Sequence, residues 1–412
     1  MTKNYGSHQQ KLFIEKPDLC IMLHMKKFVS LILLFFFISS TFTVVYHPVV
    51  ASTTLVENSW TTKTSMNQAR FGLGVIAVDG KIYGIGGCTS FDDFLRPNNF
   101  VGTNERYDPK TDTWTTLKSM PTPRHNFAIA ECQGKIYCIG GYIVEGSRWV
   151  IYNTVETYDP ATDSWSTKAD MPFTEADLTA CVVNGKIYVF TTNVGSPVYM
   201  YNTETDSWTV KTHKPNTTLH YYAPTVVDNK ILLTSLYLTT EIYDPVTNEW
   251  TEKRGESPLI LVFNQISATV TTTGVYAPQK MYVLGKQYGT PSLTNWSYDL
   301  VNGTQAPNQR ARLYRENFGT AVVDDILYVI GGNIYHADDE KSEILSTNEQ
   351  YVPRGYYGAS PMAMPNIDFG GFISSIVLIV NIGLIGIVAI VVIILFFVFK
   401  KDQNNNHLTR HH

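Results

Sequence analysis

The chain has 412 residues, 44% hydrophobic and 13% aromatic, which is enough apolar material for one or two sizeable cores and too much for a disordered chain. A formal net charge of −4 and a pI near 6.2 leave no broad basic surface, which argues against nucleic acid as a partner. Residues 1–51 come first and read as an N-terminal extension and secretory signal. Met25-Lys26-Lys27 is a short basic region, Phe28 to Ile38 an apolar one, and Val49-Val50-Ala51 offers small residues for cleavage before Ser52. On this reading Met25 is the true start. The competing reading is an uncleaved anchor, because apolar residues continue through Phe42, Val44 and Val45.

Residues 52–353 repeat themselves. Asp79-Gly80-Lys81-Ile82-Tyr83-Gly84-Ile85-Gly86-Gly87 returns as Gln133-Gly134-Lys135-Ile136-Tyr137-Cys138-Ile139-Gly140-Gly141. Weaker copies begin at Asn184, Asp228, Gln279 and Asp324, the last ending in Gly331-Gly332. A second motif follows most of them: Tyr107-Asp108-Pro109 before Trp114, Tyr158-Asp159-Pro160 before Trp165, Tyr201-Asn202 before Trp208, and Tyr243-Asp244-Pro245 before Trp250. The period of about 42 to 54 residues is that of propeller blades. Each unit predicts four strands. A two-residue turn of the Asn-Gly or Asp-Gly kind joins two apolar β-branched runs, paired glycines end the second, and a loop leads to a third strand ending at Tyr-Asp-Pro. A short polar turn then leads to a fourth strand bearing the Trp. One such sheet cannot bury its own faces, whereas six in a ring can.

Residues 354–371, with Pro361 and Pro365, form a linker, and residues 372–399 are apolar apart from Ser374, Ser375 and Asn381. At about 1.5 Å per residue this run is long enough to cross the roughly 30 Å hydrocarbon layer as one tilted helix, in contact with membrane lipid. Lys400 and Lys401 then place the tail, 400–412, in the cytoplasm and the repeats outside. Sequons at Asn216, Asn295 and Asn302 are compatible with export. Cys88, Cys132, Cys138 and Cys181 are scattered singly, which fits small buried hydrophobes better than a disulfide framework or a zinc site.

The double glycine after an apolar strand, followed by a separated Tyr and Trp, resembles the kelch-repeat family over roughly residues 56–353. The resemblance implies an all-β chain: a six-bladed kelch-type β-propeller, plus the C-terminal transmembrane helix. Blades one and two match closely. Blade three has Thr191-Thr192 and blade four Thr234-Ser235 in place of glycines, and blade five has Gly285 alone and no Trp after Tyr298-Asp299. The last unit ends at Tyr351-Val352-Pro353 without its Trp strand, so an N-terminal strand bearing Trp60 is expected to close the ring. The function expected is that of a membrane-anchored extracellular recognition module binding a protein or glycan. The resemblance also admits a carbohydrate-processing enzyme of the galactose oxidase or sialic acid mutarotase type, and a surface protein that assembles with copies of itself remains a third reading.

Strand directions put the starts of the first strands and the loops between second and third strands on one face, called the top here. Arg70, Arg124 and Arg315 fall about ten residues before the hairpin turn in blades one, two and six, which are consecutive around a ring. The same blades carry the longest or most decorated top loops, with Phe91, Phe94 and Phe100, with Trp149, and with Asp338-Asp339-Glu340. Long loops on a rigid scaffold are where binding concentrates, so Arg70, Arg124, Arg315, Phe91, Phe94 and Trp149 are the candidate ligand-binding residues, the arginines suited to carboxylate or phosphate. The alternative for the arginines is capping strand ends or pairing with a neighbouring blade. A copper centre would need convergent His and Tyr ligands, but His125, His213, His220 and His336 have no metal-ligand spacing, and neither a cofactor nor a metal is expected. Gly72-Leu73-Gly74-Val75-Ile76-Ala77 imitates a dinucleotide fingerprint but falls inside a strand with no helix after it. The acidic run lacks the alternating ligands of a calcium loop. No catalytic motif is present, which favours a binding protein over an enzyme.

Overall fold

The computed structural model describes residues 55–357 except 192, 194, 215–223, 235–238, 255–264, 287–291, 300–303 and 337–340. The N-terminal extension, most of the linker, the expected membrane helix and the tail lie outside the described residues, as do Asn216, Asn302, His220 and the acidic run at 338–340. Among the described residues no helix is long and apolar enough to cross a membrane.

Six four-stranded antiparallel sheets make a six-bladed β-propeller. Strands a to d of blade one are Gly74–Val78, Lys81–Ile85, Asn104–Asp108 and Thr113–Leu117; those of blade two are Ala128–Cys132, Lys135–Ile139, Val155–Asp159 and Ser164–Lys168. Blade three runs Thr179–Val183, Lys186–Phe190, Pro197–Asn202 and Ser207–His213, and blade four Thr225–Val227, Lys230–Thr234, Thr239–Asp244 and Glu249–Arg254. Blade five is Gln265–Thr271, Lys280–Lys286, Thr294–Asp299 and a short Gln305–Pro307. Blade six is Gly319–Val323, Ile326–Ile330 and Asn348–Val352, closed by Ser59–Lys63 with Trp60 opposite Tyr351. The a–b turns are tight because both central residues adopt positive φ, as at Asp79-Gly80 (48° and 70°) and Gln133-Gly134 (55° and 75°). Blade five departs, joining its first two strands through the longer segment 272–279.

The core lies between blades. Val78, Tyr83 and Ile85 of blade one pack with Ile136, Cys138 and Tyr158 of blade two, and the same interdigitation recurs around the ring. The Tyr and Trp motif is explained by a polar clamp at most of these interfaces; between blades three and four Tyr243 and the Thr212 N–H donate to Asn248, but the Trp250 indole N–H finds no acceptor among the described residues. In blade two the Tyr158 hydroxyl and the backbone N–H of Lys118, in blade one, both donate to the Asp163 carboxylate, while Trp165 Nε1 donates to the Lys118 carbonyl. Asp112, Asp206 and, at the closure, Asn58 repeat this with Tyr107 and Trp114, Tyr201 and Trp208, and Tyr351 and Trp60. Each of these acceptors sits at positive φ, a conformation that Asp and Asn tolerate better than most residues. The residue after the outer strand of blades one, two and six (Lys118, Ala169 and Thr64) is thus tied by both its N–H and its C=O to the following blade, and in blade five Gln309, two residues beyond its outer strand, is tied in the same way.

Candidate functional site

The long b–c loops of blades one, two and six fold into three extra hairpins: Cys88–Phe91 with Pro97–Phe100, Tyr142–Glu145 with Arg148–Ile151, and Asn333–His336 with Lys341–Ile344. A single bridge seats each hairpin on the start of its own blade, at Phe71 and Cys88, His125 and Tyr142, and Glu316 and Asn333. The first two hairpins are joined where Arg96 Nη1 donates to Ser147 Oγ at 3.2 Å. Together the three form a crown over adjacent blades of the top face.

Exposed aromatics stand on this crown: Phe94 is 78% exposed, Trp149 54% and Tyr335 50%. Arg96 is held by two bonds to Asp92 and lies 5.0 Å above the Phe94 ring, so the hairpin tip is stiffened. Hydrogen bonding from the Arg96 backbone N–H is the main cause that holds the Asp92 carboxyl below its ordinary value. Trp149 stacks on Tyr142 at 4.5 Å and 25°, and Phe91 stacks on Phe71 at 4.3 Å and 10°. His125 joins the two stacks, with ring centroids 4.3 Å from Tyr142, 5.0 Å from Phe100 and 6.2 Å from Phe71. It is buried, neither ring nitrogen has a hydrogen-bond partner among the described residues, and desolvation pushes its pKa down to about 4. Beneath the crown floor, cavities of ≈540 and ≈350 Å³ share Ile76, Ile129, Ala180, Val270 and Thr320 along the central channel, and Gly72, Asn126, Asp177 and Asn317 ring the upper one.

The six residues singled out from sequence divide into two groups. Phe91, Phe94 and Trp149 belong to the crown. Arg70, Arg124 and Arg315 are fully buried below it, and no guanidinium reaches solvent. Each pairs with a glutamate on strand c of its own blade: Arg70 with Glu105 at 2.7 Å, Arg124 with Glu156, and Arg315 with Glu349. Each also donates to main-chain oxygens near the strand ends, Arg70 to those of Gly84, Gly86 and Thr103, Arg124 to those of Thr122 and Cys138, and Arg315 to that of Gly331. Burial pulls the Arg70 and Arg315 pKa values below the ordinary arginine value, opposed by the paired glutamates. The double glycines serve the same joint, since Gly87 and Gly332 donate to the carbonyls of Arg124 and Arg70 in the following blade. Their φ of 102° and 98° is strained for any side chain.

Sequence reasoning missed Lys214. It occupies the place of Met66, Met120 and Met171, its N–H bonding back to Ser196 as theirs do to Ser346, Gly102 and Asn153. Its ammonium is buried, donates to the Thr191 carbonyl, and is lowered to about 8 by desolvation, against the fields of Glu241 and Glu175. The signal was a lysine where the repeat has methionine. The sequon at Asn295 proves fully buried in strand c, so in the folded protein it is no glycan site. The histidines are dispersed, His125 under the crown, His213 on an outer strand and His336 beside Glu343 on the third hairpin.

A closed six-bladed ring of Tyr/Trp-clamped sheets carrying three extra hairpins on its top face defines the class, a β-propeller. Residues 69–121 and 123–172 match the Kelch motif. Over these two repeats the chain is similar to the kelch-repeat family. It is 32% identical to Kelch-like protein 35 of Mus musculus over 34% of this chain and 24% of that one. It is 32% identical to an F-box/kelch-repeat protein of Arabidopsis thaliana over 33% and 36%. The match to beta-scruin of Limulus polyphemus is 30% over 33% and 15%. The chain thus spans about a quarter to a third of the first two relatives, and less of the third. The solved structure of YjhT superposes with a TM-score of 0.51 at 14% identity, covering 69% of this chain and 95% of that one, a likeness of fold.

Proposed function

We propose that this chain is a cell-surface recognition module that captures a protein partner on the crown of blades six, one and two. The observation that carries this reading is the set of three adjoining hairpins that raise Phe94, Trp149 and Tyr335 into solvent above a buried aromatic layer. Exposed aromatics flanked by arginines, here Arg96 and Arg148, are the residues that anchor protein interfaces. The buried Arg–Glu pairs fix the blades from which the hairpins spring and touch no partner. An extracellular propeller on a single-pass anchor, with a cytoplasmic tail, is part of the same proposal, supported by the signal-like N-terminus and by the apolar run before Lys400 and Lys401.

One observation favours a second ligand class. Trp149 lies flat on Tyr142 with half its surface free, which is a platform for the apolar face of a sugar ring. The test is to present the purified exterior, roughly residues 52–360, to surface-protein extracts and to a glycan array, beside a Phe94→Ala/Trp149→Ala variant. The expected result is a protein retained by the native chain and lost at least about tenfold by the variant at unchanged melting temperature, since each anchor contributes roughly 1–2 kcal/mol or more. Retention of glycans alone would favour the sugar platform, sugar turnover the enzyme, and concentration-dependent sizing with no other ligand self-assembly.

A further inference from the structure

The face opposite the crown holds a feature that recognition does not use. In blades one to four the a–b turns present polar tips, Asp79-Gly80, Gln133-Gly134, Asn184-Gly185 and Asp228-Asn229. Blade five instead carries the loop 272–279, whose tip, Val275, is 62% exposed. The loop is rigidly held. Asp325, buried in the a–b turn of blade six, accepts the backbone N–H groups of Thr273, Tyr276 and Ala277 and the Thr273 hydroxyl. Burial alone would raise the Asp325 carboxyl, but these donors outweigh it and hold it below its ordinary value. A buried carboxylate is thus spent on fixing an exposed valine.

The chain leaves the propeller at the same place. Tyr357 N donates to the Tyr276 carbonyl and its hydroxyl to that of Gly274, and Gly355 N donates to Glu57. Leu55 and Val56, the latter 68% exposed, stand next to Glu57, so four exposed apolar or aromatic side chains gather where the propeller's two ends meet. Residues 358–371 alone separate Tyr357 from the apolar run at Phe372, a tether of at most about 45–50 Å.

We infer that this bottom patch of Leu55, Val56, Val275 and Tyr357 rests on the surface of the phospholipid bilayer that holds the apolar run, an inference that rests on the single-pass reading above. A patch this small would not hold a free protein on lipid. A tethered one is presented to the bilayer at high effective concentration, so a weak apolar contact suffices. Tyr357 suits the headgroup layer, and Val275 and Val56 suit the acyl boundary beneath it. The crown is then directed away from the membrane, toward a neighbouring cell or the medium.

The test uses the full chain reconstituted in phosphatidylcholine vesicles containing a lipid with a shallow nitroxide. An environment-sensitive fluorophore is placed on Val275→Cys and, in a second chain, on Phe94→Cys; both positions are exposed, so folding is not at stake. The expected result is loss of fluorescence for Val275→Cys and none for Phe94→Cys. If the chain resists alkaline carbonate extraction yet the Val275→Cys probe stays unquenched by lipid and open to aqueous iodide, the docking is overturned while the anchor stands. If carbonate extracts the chain, the anchor reading fails and the docking with it.

Discussion

Arg124 and His125 are neighbours in sequence with opposite electrostatic fates. Arg124 is charged and buried against Glu156 with the Cys138 carbonyl as a further acceptor. Removing one partner of such a pair leaves the other charge uncompensated, so Arg124→Met should lower stability by about 3–5 kcal/mol in urea denaturation of the exterior. Met at this place should disturb the crown only by loosening blade two. His125 sits where no acceptor among the described residues reaches either nitrogen, and burial holds it neutral to about pH 4. Its unfolded value is near 6.5, so below that pH the unfolded chain takes up a proton that the folded chain refuses. Stability is therefore unaffected by this group above pH 6.5 and falls as the pH drops toward 4. Between pH 7.5 and 5.0 the loss should be on the order of 2 kcal/mol, and His125→Phe, which keeps the aromatic contacts, should flatten the dependence. A native chain with no greater acid sensitivity than the variant would refute the assignment. Both side chains were conspicuous in the sequence as a repeated Arg and a lone His, but their burial and partners depended on how strand c lies beside them.

At the scale of the blade, the clamp decides what the Tyr and Trp motif is for. Asp163 accepts from Tyr158 within its own blade and from Lys118 in the preceding one, so it fastens two sheets with one carboxylate. Asp163→Ala should cost roughly 1–3 kcal/mol by stranding a tyrosine hydroxyl and a main-chain N–H. Asp163→Asn should cost much less, because Asn58 and Asn248 fill the same place in blades six and four. Equal losses for the two variants, read as urea midpoints, would mean that the charge and not the acceptor geometry matters. The crown hairpins were legible in part. Gly146-Ser147 between Tyr142-Ile143-Val144 and Arg148-Trp149-Val150 is a turn signal flanked by β-branched residues. In blade one the turn runs through Asp92 to Arg96 with Leu95 at φ 59°, which no glycine announces.

At the scale of the whole molecule, the ring is closed by non-covalent pairing of its two ends. Ser59–Lys63 supplies the outer strand of blade six, and Asn58 and Trp60 make the same clamp there that other blades make within continuous chain. Deleting residues 52–63 removes that strand and exposes the edge of strand c. The expected outcome is a propeller that still forms its central blades but unfolds over a broader, earlier thermal transition, followed by circular dichroism. A sharp transition at the native temperature would show that the closure contributes nothing.

The sequence by itself determined the repeat, the number of blades, the strand order within each and the closing role of Trp60, because these follow from local periodicity, turn residues and the count of strands each unit lacks. It also marked the crown sector, since loop length and aromatic content are visible in one dimension. The tertiary structure decided the rest. Whether Arg70, Arg124 and Arg315 face a ligand or a glutamate depends on cross-strand register, and a carboxylate about thirty residues away in the chain becomes the nearest neighbour only once strand c has been laid beside strand b. Burial of Asn295, replacement of a methionine by Lys214 and the stapling of Val275 by Asp325 are likewise properties of faces brought together from distant segments, and desolvation is set there.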